Sequence, residues 1–144
     1  METTLMGKVL VTAKIENLFD IENRERGSLA ADQVRSIEVT DALVDTGASG
    51  LLLPKRLIAQ LGLRQFRIQQ ARGIGDEVPM PMYSVVRLTI QGRECSLDVG
   101  EISDDLPVLI GQIPLESLDF VVDLKGQRLI GNPAHGGEHI MDVF

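Results

Sequence analysis

The sequence predicts an all-β domain: a small closed barrel carrying one or two short helices. Three observations lead there. Short apolar, β-branched runs recur along the whole chain, each stopped by Gly, Pro or a charged cluster. Helical spacing is confined to two brief stretches, one after Pro54 and one at Pro114. The 144 residues hold no internal repeat and no low-complexity segment; they suffice for one real core and are too few for two lobes. Residues 1–144 are therefore expected to form a single domain, with its core over about 35–131.

Each element follows in chain order. Residues 8–15, Lys-Val-Leu-Val-Thr-Ala-Lys-Ile, are β-rich. Residues 16–33 carry many charges and a Gly and are expected as a long surface loop or hairpin tip. A strand resumes over Val34–Val39, and Ala42–Asp45 runs into a tight turn. Leu51–Leu53 is a short apolar strand. Pro54 suits the first position of a helix, Leu57, Ile58 and Leu61 line one of its faces, and Gly62 stops it. Residues 64–72 alternate and lead to Gly73-Ile74-Gly75; after Pro79 and Pro81 a strand runs over Tyr83–Ile90, giving a hairpin with a glycine-rich tip. Gln91-Gly92 turns the chain into a strand over Arg93–Val99. Glu101–Asp105 is an acidic loop, Leu106–Gly111 a buried strand halted by its glycine, and Pro114–Leu118 a short helical turn. Phe120–Leu124 and Gln127–Ile130 pair around Lys125-Gly126, and residues 132–144 are expected as a polar tail.

Composition excludes several function classes. A net charge of −7 argues against nucleic acid and acidic membrane surfaces as partners. Aromatic residues are scarce and Trp is absent, so stacking on bases or sugars is not expected. The single Cys95 cannot form an intramolecular disulfide and reads as a small packed residue. Lys8 and Lys14 interrupt the apolar character of the N-terminal region, and no apolar run is long enough to span a bilayer. A soluble, cytoplasmic protein is the expectation.

The chemistry concentrates in residues 42–50, Ala-Leu-Val-Asp-Thr-Gly-Ala-Ser-Gly. Three apolar residues deliver the carboxylate of Asp45 into a turn built by Thr46 and Gly47. The small residues that follow allow another backbone to come close, and no Lys or Arg stands by to neutralise the acid. Such an acid is suited to proton chemistry or to pairing with a second acid. An ordinary Asx-turn explains the same residues more blandly. A phosphatase-type nucleophile would want a second Asp two residues on, where Gly47 stands.

This run resembles the Asp-Thr-Gly-Ala active-site turn of the retroviral-type aspartic proteases, the retropepsins. The order of later signals fits the same plan: Gly73-Ile74-Gly75 as the tip of a flap hairpin, Val108-Leu109-Ile110-Gly111 as an apolar strand end, then the short helix at Pro114–Leu118. The resemblance covers roughly residues 35–131. It implies Asp45 as the catalytic acid, Thr46, Gly47 and Ala48 as the active-site turn, Gly73, Ile74 and Gly75 as flap and substrate-binding residues, and Ile110 and Gly111 as support. Family members usually carry Arg-Asp or Arg-Asn after the last glycine; Gln112-Ile113 follows here, so an Arg brace is not expected at that position.

Peptide hydrolysis by this route activates a water between two carboxyls that share one proton. The chain has only one Asp-Thr-Gly, so the resemblance implies a homodimer with Asp45 facing its own copy across a two-fold axis. Extended peptides are the expected substrates, and no cofactor or metal is expected. A non-catalytic dimeric module that binds peptides through the same fold is the alternative. Residues 135–139, His-Gly-Gly-Glu-His, formally match a zinc-peptidase pattern. That pattern needs a helix, which Gly136-Gly137 oppose, so a solvated tail is expected there instead.

Overall fold

A computed structural model describes residues 8–73 and 75–141. The chain is mostly β. Strand β1 (Leu10–Asn17) is followed by helix α1 (Leu18–Glu25), a 3-10 turn (Ala31–Gln33), β2 (Ser36–Val44), β3 (Leu51–Pro54) and helix α2 (Lys55–Leu61). Then come β4 (Gln65–Arg72), β5 (Glu77–Ile90), β6 (Arg93–Ile102), β7 (Leu109–Ile110), helix α3 (Gln112–Ser117), β8 (Phe120–Asp123), β9 (Arg128–Gly131) and a second 3-10 turn (Pro133–His135).

Six strands close a barrel in the order β1-β2-β7-β3-β6-β5, with β5 returning to pair with β1. Strict alternation fills it. Along β1 every second side chain is buried, and Ala13, Ile15, Leu51, Leu53, Val86, Leu88, Val99 and Ile110 are essentially inaccessible. Strand β4 lies outside the ring and, among the described residues, pairs with β5 alone, so the β4–β5 hairpin projects from the barrel. A separate two-stranded sheet, β8–β9, follows α3.

The structure corrects the sequence reading in several places. Residues 16–33 are not a loop. Strand β1 runs to Asn17, whose side chain caps α1 by accepting from Asp20 N at 3.1 Å and ties it to α2 by donating to Leu61 O at 2.9 Å. Ile21 is fully buried, and buried Asp20 accepts from Arg35 Nε at 2.8 Å and from Arg35 N and Nη2 at 3.0 Å each. The Arg35 guanidinium holds the Asp20 carboxyl below the usual carboxylate range. Strand β2 extends past Val39 to Val44, and β6 takes in Glu101 and Ile102. Of the strand expected over Leu106–Gly111, only Leu109–Ile110 forms. Pro54 is the cap of α2 rather than its first residue; Gly62 ends the helix at φ +64 as expected.

Strand β5 passes straight through Pro79 and Pro81. Pairing with β6 begins only at Met82, so both prolines sit where β5 has one neighbour, a position that tolerates a missing N–H.

Candidate active site

Strand β7 lies between β2 and β3, parallel to the first and antiparallel to the second. The chain leaves β2 at Asp45, loops over the end of β7 and returns as β3 on its far side. Backbone bonds fix this loop throughout. Asp45 N donates to Ile110 O at 2.9 Å, Ala48 N to Asp45 O at 3.0 Å, and Gly111 N to Gly50 O at 2.9 Å. The first amides of α3 complete it: Gln112 N donates to Ala48 O and Ile113 N to Ser49 O, both at 2.9 Å. Ile110 and Gly111 therefore support the turn directly. A Cβ on Gly111 would lie 2.5 Å from Ala48 O and 2.6 Å from Gly50 O, so only glycine fits.

Asp45 is half-buried, and among the described residues its carboxylate accepts one bond, from Gly47 N to Oδ1 at 3.0 Å. Thr46 is exposed and Ala48 is half-buried. Asp45, Thr46, Gly47, Ala48, Ile110 and Gly111 thus form one unit. Gly73 and Gly75 stand apart from it, at the tip of the β4–β5 hairpin. There Gly73 N donates to Asp76 O at 3.0 Å, and Gly75 takes φ +93, which suits glycine. Ile74, expected at the same tip, lies outside the described residues.

The register shows a feature that sequence reasoning missed. Leu43, Leu109, Leu52, Gly100 and Met82 are successive partners across β2, β7, β3, β6 and β5. Their chain neighbours Ala42, Ile110, Leu51, Leu53 and Val99 point into the core, so this row lies on the outside of the barrel. Asp45 is two residues beyond Leu43 and continues on the row's side. Met80 and Met82 sit half-buried outside the core cluster. They cover Gly100, where a Cβ would lie 2.6 Å from Met80 Sδ and 2.7 Å from Leu52 Cδ2. An apolar floor therefore runs from the acid to the base of the projecting hairpin. The unbroken apolar runs at 42–44, 51–53 and 108–110, apolar on both faces, were the signal available for it.

The tail also departs from expectation. His135 ends a 3-10 turn, and its Nδ1 lies 2.6 Å from Oδ2 of the buried Asp119. His139 Nε2 lies 3.0 Å from Ser117 O, so the two histidines serve different partners. His135 chiefly, with help from the amide of Ile140 and the side chain of Asn132, brings the Asp119 carboxyl down to about 2. No group of three or more His, Cys, Asp or Glu suited to a metal occurs among the described residues. Cys95 is half-buried, and burial pushes its thiol up.

The family model for Aspartyl protease matches residues 33–123, more than half of the chain. The matched span holds the Asp45 turn, the projecting hairpin, the apolar floor and α3. No curated protein matches the chain.

Proposed function

The chain belongs to the aspartyl protease family, and on that premise we propose that it is an aspartic endopeptidase acting as a homodimer, with one Asp45 from each subunit. The observation that carries the reading is the Asp45 turn itself. Backbone bonds on both sides hold its carboxylate at the end of an apolar floor, and Gly47 N alone bonds the carboxylate among the described residues.

In this reading a two-fold axis passes beside the turn and brings the two carboxyls together around a water. Both cannot ionise cheaply at that distance, so they share one proton. The ionised acid draws a proton from the water as its oxygen attacks the scissile carbonyl carbon, and the protonated acid donates to the carbonyl oxygen. Collapse of the tetrahedral adduct breaks the C–N bond, and the amine leaves with a proton returned by the pair. Thr46, which is exposed, bonds across the axis in this reading, and Gly47 permits that approach. The β4–β5 hairpin closes over the substrate, and its backbone adds an extended peptide as a strand. The floor of Leu43, Leu109, Leu52 and Met82 favours apolar side chains beside the scissile bond. A cytoplasmic location is part of the same proposal.

A peptide library scanned across pH 3–7 tests the reading. Wild-type protein is expected to cleave, Asp45→Asn to lose at least about 10³-fold in kcat, and a pepstatin-type inhibitor to block the rest. Sedimentation should show a dimer at assay concentration. Ala48 stands where pepsin-like turns often place a hydroxyl that stabilises the ionised pair, so activity should extend to milder acidity than pepsin's. Cleavage by a strict monomer, or undiminished cleavage by Asp45→Asn, would overturn the mechanism. Peptide binding without cleavage by the dimer would favour the non-catalytic module.

A further inference from the structure

We infer that Arg93, Asp119 and His135 form a clasp that positions the active-site turn by fixing the far end of α3. The inference rests on the peptidase reading above. None of the three residues contacts Asp45 among the described interactions, so they are positioning residues.

Helix α3 has six residues and no side-chain N-cap. A helix so short does not hold itself. Its first two amides are bonded to Ala48 O and Ser49 O, so helix and catalytic turn move as one body. Anything that displaces α3 displaces the Asp45 carboxylate. In a two-fold dimer the displacement acts on both acids and changes their separation.

The far end of α3 is fixed from the barrel. Arg93, the first residue of β6, donates through Nη1 to Leu118 O at 3.0 Å and to Asp119 O at 2.8 Å, filling carbonyls at the helix end. Its guanidinium lies over the Phe120 ring, 4.6 Å from the centroid, and its Nη2 donates to Gly137 O in the tail. Asp119 reverses the chain at φ +58, an unfavourable conformation for a residue other than glycine. Its buried carboxylate makes that reversal permanent by accepting from His135 Nδ1 at 2.6 Å, Asn132 Nδ2 at 3.2 Å and Ile140 N at 3.1 Å. His139 Nε2 adds a bond to Ser117 O, on the last residue of α3.

The tail thus wraps the end of the helix whose other end carries the active-site turn. Gln112 stands at the near end, and a guanidinium from the barrel secures the opposite end. This assigns a purpose to the His135–His139 segment, which the peptidase mechanism leaves unused.

The test compares the full-length wild type with Arg93→Met, Arg93→Lys and His135→Ala. It measures kcat, KM and the amide exchange of Gln112 and Ile113. Arg93→Met should lower kcat about tenfold or more with KM changed less than about twofold, because small misplacements of reacting groups cost rate rather than binding. Exchange at both amides should quicken, and Arg93→Lys should recover part of each loss. His135→Ala should move both readouts the same way by less. Unchanged kcat and exchange in Arg93→Met overturn the inference. Should Arg93→Met not fold, His135→Ala decides by the same criterion. Should the wild type cleave nothing, the peptidase reading fails, and unchanged amide exchange in His135→Ala would separately refute the clasp.

Discussion

Asp45 and Asp119 sit at opposite ends of α3, and their surroundings differ in kind. Asp119 is buried and its oxygens accept from a histidine, an amide side chain and a backbone N–H. Asp45 is half-buried and, among the described residues, accepts one backbone N–H, from within its own turn. Satisfying a buried carboxylate from several directions ties segments together. Leaving a carboxylate open on a rigid backbone keeps it available for a water, a substrate or a second acid. Under the proposed peptidase reading, the acid that the fold does not complete is the one that does the chemistry.

The largest expected effect tests that rule directly. Asp45→Asn should abolish cleavage while leaving the melting temperature within about 2 °C of wild type, because the side chain holds little structure. A large fall in melting temperature would show that Asp45 is structural after all and erase the contrast. Next in size is Gly111→Ala, which attacks the support rather than the acid. Its new methyl would meet two backbone carbonyl oxygens, Ala48 O and Gly50 O, that cannot move without distorting the turn. A loss of about 1–3 kcal/mol of stability is expected, with a fall in kcat of about 10–100-fold. Wild-type kcat in a folded Gly111→Ala protein would show that the turn tolerates displacement.

Asp119→Asn addresses the other acid. A carboxyl brought down to about 2 in the folded state contributes stability that is fully present above its unfolded value, about 3.9, and is lost as pH falls through about 2. The clasp therefore holds across the pH range in which the enzyme is expected to work. Asp119→Asn should lower the melting temperature by about 5 °C at neutral pH, and the gap from wild type should close between about pH 4 and pH 2. A gap that widens as pH falls would contradict the linkage.

Local signals made the Asp45 turn, the hairpin tip and most strands legible from the sequence. Asp-Thr-Gly-Ala follows three apolar residues, glycines mark the tip at 73 and 75, and alternation marks β5 and β6. Helix α1 carries one local signal, Asn17 accepting from Asp20 N, but its polar residues are otherwise held by distant partners, and it was not legible. Asn17 bonds Leu61 O across 44 residues, and Asp20 bonds Arg35 across 15. The tail failed for the same reason: its bonds to Asp119, Ser117 and Arg93 are all long-range. The apolar floor was written in the unbroken apolar runs around Leu43, Leu52 and Leu109. Assigning it needed the register that sets those strands side by side.

The smallest effect separates two glycines that look alike in sequence. A Cβ at Gly100 would be as crowded as one at Gly111, at 2.6 Å from Met80 Sδ and 2.7 Å from Leu52 Cδ2. The neighbours differ, however. At Gly111 they are backbone; at Gly100 they are the ends of flexible side chains, one an unbranched thioether that re-packs readily. Gly100→Ala should therefore cost about 1 kcal/mol or less and leave the Asp45 turn in place. Displacing the Met80 and Leu52 ends toward the open side of the floor would shrink the space for a substrate side chain by roughly a methyl group. A methylene-sized change in an apolar pocket is worth about 10-fold or more in discrimination. Profiling wild type and Gly100→Ala on one peptide library should show preference moving toward smaller apolar residues, with kcat on the best small substrate retained. An unchanged profile would mean that substrate does not lie on this floor, and the row from Leu43 to Met82 would be surface alone.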